Sequence, residues 1–455
     1  MDMNTFIFRE YDIRGKVAED FTDDVVLALG KGFGTWAKRQ GGKTIALSGD
    51  VRETSPHLKE QFAEGVTSTG VDVIDIGILP TPANYFALYH LDIDGAVQIT
   101  GSHNPPEYNG FKMSFNQGAV YGEQIQTIRE LIEAEDYEAG KGKRTKQAIL
   151  DDYIDMVVSK IAIEKPLKVA LDCGNAAGVL AAPTVFRRLD NIELTELYCD
   201  VDPTFPNHHP DPTVKKNVAD LIKTVKEGDY DVGIAYDGDA DRVGVIDDQG
   251  EIVWADYLMT LFLDEVIADN EEIIFDVKCS QALEQEIANK GGTPVMWKTG
   301  HSLIKQKMKE SRAPFGGEMS GHLFFADDYY GYDDAIYVSA RVLQTLSRSE
   351  KSLSEIMAEL PQYESTPEIR MECPSDAEKF KIAEKAQNYF AQKYDHIDVD
   401  GIRIKFGDGW GLVRSSNTQP VIVCRFEAKT RERLEEIRDL VIGKLQEFGE
   451  LKVEY

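Results

Sequence analysis

Apolar and polar positions alternate along this chain with two periods, one typical of buried strands and one typical of amphipathic helices. Over the first part of the chain, short apolar runs predict strands, and apolar residues three or four positions apart predict helices. The elements predicted there are helix 23–40, strand 43–47, helix 56–69, strand 71–76, helix 82–91, strand 95–100 and helix 121–135. This alternation is the signature of an α/β domain with a largely parallel sheet.

The same alternation continues through two more stretches and then changes. The next predicted elements are helix 149–163, strand 167–171, helix 256–268, strand 273–277, helix 281–290, strand 294–298 and helix 302–311. In the last ninety residues, helices at 376–392 and 430–447 enclose short strands between 397 and 426, which indicates an α+β domain with an antiparallel sheet. We therefore predict four domains: 1–147, 148–250, 251–364 and 365–455.

Three aspartates lie between two apolar runs in the second domain. Asp237, Asp239 and Asp241 alternate along a tight loop that joins two predicted strands. Like charges this close repel one another unless a cation compensates them, and oxygen ligands without His or Cys favour Mg²⁺ or Mn²⁺ over zinc. A solvated acidic turn is the alternative. A calcium EF-hand is excluded because Arg242 occupies the position that requires glycine and the flanks predict strands.

Charge and cysteine content narrow the range of partners and compartments. The 79 acidic residues outnumber the 50 basic ones, and the net charge of −29 argues against nucleic acid and anionic membranes as partners. An anionic substrate can bind only where arginine or lysine side chains, backbone amides or a metal make the local electrostatic potential positive. Five scattered cysteines fit a reduced compartment. Without a recognisable signal peptide or membrane-spanning run, we expect a cytoplasmic protein.

Further polar segments lie directly beside predicted strands. Ser102 follows a strand in a loop rich in Pro, Asn and Gly, where it is either a turn serine or a presented nucleophile. The acyl-hydrolase motif G-x-S-x-G is absent, whereas a hydroxyl beside a metal site can carry a phosphoryl group. Glu318 and Ser320 can point the same way toward sugar hydroxyls, and His322 is either structural or a proton shuttle.

Arg414 opens the last of these segments, between two predicted strands of the C-terminal domain. Its planar fork, with the hydroxyls and amides that follow, suits a phosphate dianion, although a polar hairpin turn is the alternative. Three other stretches imitate functional motifs. We interpret the glycines at 30, 32 and 34 as helix packing, Gly174–Gly178 as a tight strand-to-helix connection, and the loop 207–212 with its two histidines as a rigid turn and not a metal site.

Four motifs occur in order, one per predicted domain: TGSHNP with Ser102, DGDADR with the three aspartates, GEMSGH with Glu318, and RSSNTQP with Arg414. In this combination the chain resembles the α-D-phosphohexomutase family, specifically its phosphomannomutase/phosphoglucomutase branch, essentially from end to end. The resemblance implies three similar mixed-sheet α/β domains and a C-terminal α+β domain of TATA-binding-protein-like topology around a central cleft.

The resemblance also implies roles for individual residues. Ser102 would be the phosphoserine, and Asp237, Asp239 and Asp241, together with Ser102, would bind one Mg²⁺ ion. The remaining catalytic candidates are Lys112 as a general acid/base, His322 as a second proton-transfer group, and Arg14 and His103 beside the phosphoserine. The substrate-binding candidates are Tyr11, Arg242, Lys278, Thr299, Gly300, His301, Glu318, Ser320, Arg414, Ser416, Asn417 and Thr418.

The implied activity is reversible transfer of a phosphoryl group between positions 1 and 6 of mannose or glucose phosphates through a bisphosphorylated intermediate, with hexose 1,6-bisphosphate as activator. Phosphoglucosamine mutase is the alternative, although Gly101 and Met319 favour the mannose/glucose branch; a metal-dependent sugar phosphatase and a non-catalytic sugar-phosphate binder are others. Ala240 and Gln419 depart from the commonest family pattern. We expect hexose phosphates as partners, no nucleic acid and no membrane, and a monomer in preference to a dimer.

Overall fold

The computed structural model describes residues 3–416 and 420–454. The chain forms two compact units: the first comprises Met1–Phe262 and Ser320–Met357, and the second comprises Leu263–Met319 and Ala358–Tyr455.

The strands are, in chain order, β1 (Ile13–Lys16), β2 (Thr44–Gly49), β3 (Asp72–Ile78), β4 (Gly95–Ile99), β5 (Tyr108–Phe115), β6 (Gly118–Ala119), β7 (Arg144–Lys146), β8 (Leu167–Asp172), β9 (Ile192–Leu197), β10 (Val232–Tyr236), β11 (Val243–Asp247), β12 (Ile252–Val253), β13 (Glu272–Asp276), β14 (Thr293–Trp297), β15 (Phe315–Gly317), β16 (Leu323–Phe325), β17 (Glu364–Ser365), β18 (Ile369–Glu372), β19 (Asp395–Ile397), β20 (Ile402–Lys405), β21 (Gly409–Ser415), β22 (Val421–Ala428) and β23 (Lys452–Glu454).

The α-helices are α1 (Val17–Asp20), α2 (Asp23–Arg39), α3 (Ser55–Ser68), α4 (Thr81–His90), α5 (Glu123–Glu133), α6 (Leu150–Ser159), α7 (Ala182–Arg188), α8 (Ala219–Glu227), α9 (Ala255–Thr260), α10 (Leu263–Val266), α11 (Gln281–Asn289), α12 (His301–Ser311), α13 (Ala335–Arg348), α14 (Leu353–Ala358), α15 (Asp376–Ala391) and α16 (Arg431–Phe448).

The first sheet of the first unit has the order β1-β5-β4-β2-β3-β7, with β6 paired to β5. Strands β4, β2, β3 and β7 run parallel, whereas β5 is antiparallel to both of its neighbours on this path. The sheet is therefore mixed, and the expectation of a largely parallel sheet holds only for β4, β2, β3 and β7. Strands β2, β4 and β5 are buried along almost their whole length, as expected for a sheet covered by helices on both faces.

Helix α2 shows how the local sequence sets this packing. Thr22 caps the helix by accepting a hydrogen bond from the N–H of Val25, and basic residues occupy its last turn, as the helix dipole favours. A Cβ on Gly30 would lie 2.2 Å from the carbonyl oxygen of Phe62 on α3. The glycines of α2 thus allow close approach of two helices, which confirms that they are packing residues.

The second sheet, with the order β12-β11-β10-β8-β9, places the acidic loop. Strands β10 and β11 form an antiparallel hairpin whose ladder runs from Val232 opposite Asp247 to Tyr236 opposite Val243. Strands β8 and β9 continue the sheet in parallel. Because Tyr236 and Val243 are paired, the six residues between them form a short loop at one end of the hairpin, as predicted.

The second unit contains a parallel arrangement and an antiparallel one. Strands β14, β13 and β15 run parallel. The C-terminal sheet is antiparallel, with the order β19-β20-β21-β22-β18-β23 and β17 paired to β22, and helices α15 and α16 pack on it over an apolar core. The predicted fold class, α/β domains followed by an α+β domain, is confirmed.

Several local predictions were wrong. The helix predicted at 256–268 is divided into α9 and α10, because the N–H groups of Leu261 and Phe262 bond to carbonyls only three residues back. Strand β7, for which no element was predicted, extends the first sheet. Helix α13 was not predicted, although Arg341, Gln344 and Arg348 give its sequence a polar face; its first ten residues, Arg341 and Gln344 among them, are all buried.

None of the helices in the described ranges is both long and apolar enough to cross a membrane. The five cysteines are free thiols; the cytoplasmic location inferred from them stays a prediction.

Candidate active site

Ser102 lies in the loop that leaves strand β4, and only 2% of its surface is exposed. Its Oγ lies 3.1 Å from Nδ1 of His103 and donates a hydrogen bond of 3.1 Å to Oδ2 of Asp237. The backbone of Ser102 has φ +49°, in the left-handed region that residues other than glycine rarely adopt. Strained residues of this kind concentrate at functional sites. The predicted nucleophile and the predicted metal loop are therefore in direct contact.

The three aspartates of the acidic loop are fully buried, and their carboxylate oxygens lie within 4.8 Å of one another. Oδ1 of Asp237 accepts hydrogen bonds from the backbone N–H groups of Asp241 and Arg242, which closes the loop. Oδ2 of Asp239 accepts from the hydroxyl of Thr81 at 2.6 Å. The loop is therefore a buried acidic cluster, and the alternative of a solvated acidic turn is excluded.

A Cβ added to Gly238 would lie 2.2 Å from the carbonyl oxygen of Ser102. The acidic loop and the serine loop thus touch through their backbones at a position where no side chain fits. Ala240, by contrast, carries its methyl group at φ +60°. The departure from the common glycine at 240 therefore places a residue with a side chain in a conformation that glycine adopts more readily.

Lys112 on β5 supplies a positive charge to this cluster. Its ammonium group lies 2.7 Å from Oδ2 of Asp239 and also pairs with Oδ2 of Asp241. Burial alone would lower the pKa of Lys112, but the two carboxylates outweigh burial and raise it. The same ammonium group outweighs the effect of burial on Asp239 and lowers the pKa of that carboxyl group. The pKa of Asp237 is raised, by burial and by its two acidic neighbours.

Two carboxylate oxygens in the cluster are buried without a hydrogen-bond partner, Oδ1 of Asp239 and Oδ1 of Asp241. Buried unpaired carboxylate oxygens are costly, and a cation in contact with them removes that cost. A donor set made only of carboxylate and hydroxyl oxygens suits a hard divalent ion. The residues of this loop can therefore hold a metal ion.

His322 is held in one tautomer by two charged neighbours. Its Nε2 lies 2.9 Å from Nε–H of Arg242, and its Nδ1 lies 3.0 Å from Oδ2 of Asp333. Because arginine can only donate, Nε2 is the acceptor and the proton resides on Nδ1, facing the carboxylate. Asp333 is fully buried at the start of α13, and the sequence reasoning missed it. The one lone pair of the ring, on Nε2, is therefore engaged by Arg242 in this structure.

Arg14 and His103 border the serine loop. The guanidinium group of Arg14 contacts Oδ2 of Asp12 at 2.5 Å and Oδ1 of Asn104 at 3.2 Å. Burial, together with the positive charges of Arg242, Arg14 and Lys112, lowers the pKa of His103. His103 is therefore a neutral imidazole beside the serine hydroxyl.

Tyr11 and Ser320 are both half-buried residues of the first unit. Tyr11 lies two residues before β1. Next to Ser320, the carbonyl of Gly321 accepts a hydrogen bond of 3.1 Å from the N–H of Val243, so this segment lies against the start of β11, where the acidic loop ends.

The second unit gathers the remaining described candidates around the ends of β13 and β14. Lys278, which follows β13, lies 3.0 Å from Oε1 of Glu368 and 3.6 Å from Oδ2 of Asp276. Those carboxylates outweigh the effect of burial and raise the pKa of Lys278, and the lysine in turn lowers the pKa of Glu368 to about 2. The sequence reasoning missed Glu368, which belongs to none of the motifs.

Glu318 and Arg414 are both held by polar partners within this unit. Oε1 of Glu318 accepts a hydrogen bond of 2.6 Å from the N–H of Gly300, the residue before His301, which begins α12. Oδ2 of Asp400 accepts from Nε–H of Arg414 at 3.0 Å and from the N–H of Thr299 at 3.1 Å. Sequence reasoning missed Asp400 as well.

Ser416 is buried, and its carbonyl accepts from the ammonium group of Lys379 at 2.8 Å. Asn417 and Thr418, predicted to bind phosphate, and Gln419 lie outside the described residues.

Comparison with known proteins agrees with this geometry along the whole chain. Four family profiles match in order: phosphoglucomutase/phosphomannomutase alpha/beta/alpha domain I at residues 5–139, domain II at 151–250, domain III at 254–363, and the C-terminal domain at 368–444. The chain belongs to the phosphoglucomutase/phosphomannomutase family. The resemblance predicted from its four motifs is confirmed.

Relatives within this family cover nearly the full length. A phosphomannomutase/phosphoglucomutase of Pseudomonas aeruginosa is 43% identical over 443 residues, which is 97% of this chain and 95% of that protein. A phosphoglucomutase of Neisseria meningitidis is 42% identical, with 95% of each chain covered. The crystal structure of a phosphoglucomutase/phosphomannomutase family protein from Burkholderia thailandensis superimposes with a TM-score of 0.93 at 39% identity, covering 99% of this chain and all of that one.

Proposed function

We propose that this chain is a phosphohexomutase that interconverts the 1-phosphates and 6-phosphates of mannose or glucose through a phosphorylated Ser102. One observation carries the proposal: the hydroxyl of Ser102 donates to Asp237 within a buried carboxylate cluster that has unpaired oxygens. A phosphoryl group on Ser102 would lie next to a site able to hold a cation. Relatives whose names contain both activities match nearly the whole chain.

The cluster of Asp237, Asp239 and Asp241 is proposed to hold one Mg²⁺ ion, with the oxygen of Ser102 or of its phosphate as a further ligand. When bound, the ion would neutralise charge on the phosphoryl group during transfer. The remaining positive charge would come from Lys112, whose raised pKa keeps it protonated, and from Arg14 and Arg242.

The proposed reaction consists of two phosphoryl transfers. In the first, the bond between phosphorus and Oγ of Ser102 breaks, and a new bond forms to the free 1- or 6-hydroxyl oxygen of the sugar phosphate. The hydroxyl proton passes to a base, and Nε2 of His322 can serve once Arg242, which donates to it in this structure, turns to the phosphoryl group. The protonated Lys112 can return a proton to the serine oxygen. After the bisphosphate reorients, the other phosphoryl group returns to Ser102, and added hexose 1,6-bisphosphate would prime the serine in the same way.

Residues of the second unit are proposed to bind the sugar phosphate. Arg414 and Ser416, with Asn417 and Thr418, would bind the phosphate that is not transferred. Glu318, with Ser320 of the first unit, would bind sugar hydroxyls. The other proposed substrate contacts are Tyr11, Lys278, Thr299, Gly300 and His301.

The proposed domain limits are 1–147, 148–250, 251–364 and 365–455. Each range matched by a family profile lies inside one of these domains, which supports the limits.

Steady-state kinetics test the proposal. Purified protein should convert mannose 1-phosphate or glucose 1-phosphate to the 6-phosphate in the presence of Mg²⁺ and catalytic hexose 1,6-bisphosphate, and Ser102→Ala should lose at least about 10³-fold in kcat because the nucleophile is gone. Ser114→Ala, at another buried serine of the same domain, is the matched control and should keep activity. Release of inorganic phosphate in excess of isomerised sugar would instead identify a phosphatase, and exclusive turnover of glucosamine 1-phosphate would identify the other mutase.

A further inference from the structure

A buried arginine that belongs to none of the four motifs donates hydrogen bonds to the serine loop, residues 102–108. Arg52 follows β2 and is 2% exposed. Its Nη2 donates to the carbonyl oxygens of Ser102 at 2.8 Å and Asn104 at 2.5 Å, and its Nη1 donates to those of Pro105 at 2.7 Å and Tyr108 at 3.0 Å. A single guanidinium group thus binds four carbonyl groups of one short loop, which uses most of its donor fork.

Asp50 fixes this arginine and the beginning of the same loop. Its Oδ2 lies 3.3 Å from Nε of Arg52 and accepts from the hydroxyl of Thr100 at 2.8 Å and from the N–H of Gly101 at 3.3 Å. A Cβ on Gly101 would lie 2.5 Å from Cζ of Arg52, so the guanidinium group packs directly against the backbone before the serine. The contact is as close as a glycine allows.

One carbonyl of the loop is bound from the next domain. Nε2–H of His209, in the loop that the sequence analysis interpreted as a rigid turn, donates to the carbonyl oxygen of His103. Between them, Arg52 and His209 bind the carbonyls of residues 102, 103, 104, 105 and 108. The carbonyl dipoles of the loop therefore point at these two donors.

We propose that Arg52 and His209 are positioning residues that hold the serine loop by its carbonyl groups and so keep Ser102 in its left-handed conformation against the acidic loop. A residue other than glycine with φ +49° persists only where its surroundings enforce it. Arg52 contacts backbone atoms on the carbonyl side of the loop, whereas the hydroxyl of Ser102 faces Asp237. We therefore propose that Arg52 orients the serine hydroxyl without contacting it.

The kinetic test rests on the proposed function and separates positioning from stability. The variants are Arg52→Lys, which keeps the charge but loses the fork, and His209→Phe, which removes a single donor. Arg341→Lys is the matched control, because Arg341 is a buried arginine of the same unit that pairs with Asp327. The measurements are the single-turnover transfer rate from phosphorylated Ser102 to glucose 1-phosphate, per folded protein, and the dissociation constant of glucose 1-phosphate.

Arg52→Lys should slow transfer about 100-fold and His209→Phe about 10-fold, since small misplacements of a reacting group have effects of this size. Both should leave the dissociation constant within about 2-fold of the wild-type value, because neither residue is proposed to contact the sugar phosphate. Wild-type rates per folded protein in both variants, or an equal loss in Arg341→Lys, would overturn the proposal. If Arg52→Lys does not fold, His209→Phe decides.

A second readout does not depend on activity. Hydrogen exchange of the amides in residues 100–110 should become faster by about 10-fold or more in Arg52→Lys, and not in Arg341→Lys, because the loop opens locally when its carbonyls lose their donor. Unchanged exchange in that segment would contradict the inference. If the wild-type protein never carries phosphate on Ser102, the proposed function fails, while this exchange measurement still tests the role of Arg52.

Discussion

The two units of the molecule differ in how fully their buried charged groups are hydrogen-bonded. In the first, the carboxylates of the acidic loop exceed their partners: Lys112 pairs with Asp239 and Asp241, yet one oxygen of each stays buried without a hydrogen bond. In the second, Lys278 pairs with Glu368, Arg414 pairs with Asp400, and Glu318 accepts from a backbone N–H. The first cluster keeps carboxylate oxygens without a hydrogen bond, whereas each of these groups of the second unit has a polar partner.

This difference indicates a division of labour. A cluster with unpaired carboxylate oxygens gains from a cation and from a group whose negative charge that cation can neutralise, which suits phosphoryl transfer. The charged groups of the second unit already have partners, and they can exchange those partners for the phosphate and hydroxyl groups of a ligand. We therefore assign charge neutralisation to the first unit and recognition of the sugar phosphate to the second, and three substitutions test that assignment.

The largest effect is expected for Asp239→Asn. Removing this charge weakens the cation site and the pairing with Lys112, so kcat should fall about 10³-fold, as for other groups that stabilise charge in transition states. Mg²⁺ should raise the Tm of the wild-type protein, since a ligand of the native state stabilises it, and this rise should vanish in the variant. Asp248→Asn, at an aspartate bonded to Ser354 outside the cluster, should keep the rise. Equal metal-induced shifts in Asp239→Asn and wild type would refute the assignment.

The next effect concerns the contact between the two loops of the first unit. Gly238→Ala places a methyl group where the carbonyl oxygen of Ser102 lies, so the loops must separate and kcat should fall about 100-fold. Ala240→Gly is the matched change in the same loop. It relieves a left-handed alanine but removes a buried methyl group, and because these effects oppose each other, stability should change by less than about 1 kcal/mol. Full activity of Gly238→Ala would show that the loops need not touch.

A smaller effect, and one on a different kinetic constant, is expected in the second unit. Arg414→Gln removes a charge-assisted contact to phosphate that is worth about 1.5–3 kcal/mol, so KM for hexose phosphates should rise about 10-fold to 100-fold while kcat changes less. Arg433→Gln, at a more exposed arginine that pairs with Asp408, is the control and should leave KM unchanged. A loss confined to kcat would place Arg414 with the chemistry and would break the division between the units.

The sequence identified the candidate catalytic residues but not the residues that contact and orient them. Ser102 and the three aspartates belong to short motifs beside strands, so pattern and chemistry together identify them. Arg52, Asp333 and Glu368 have no motif of their own, because each acts through a partner far away in sequence, and only the folded chain shows the pairing.

The limits of the fold prediction have a similar cause. Helix α13 has a polar face like that of α2, formed by Arg341, Gln344 and Arg348, and the prediction overlooked it. What the pattern does not encode is that Arg341 and Gln344 are buried against Asp327 and the backbone of Ala162. The break between α9 and α10 depends on local backbone hydrogen bonds that the apolar spacing does not encode. Likewise, the left-handed backbone of Ser102 and Ala240 follows from the contacts around them and not from propensity.

The central claim is that Ser102 carries the phosphoryl group between sugar molecules. Incubation of the protein with hexose 1,6-bisphosphate labelled in its phosphates, followed by peptide mass spectrometry, tests it most directly. Our account predicts about one label per chain on the peptide that contains Ser102, lost to unlabelled glucose 1-phosphate or mannose 1-phosphate within a turnover. Isomerisation without any label on that peptide, or label on another residue, would contradict it.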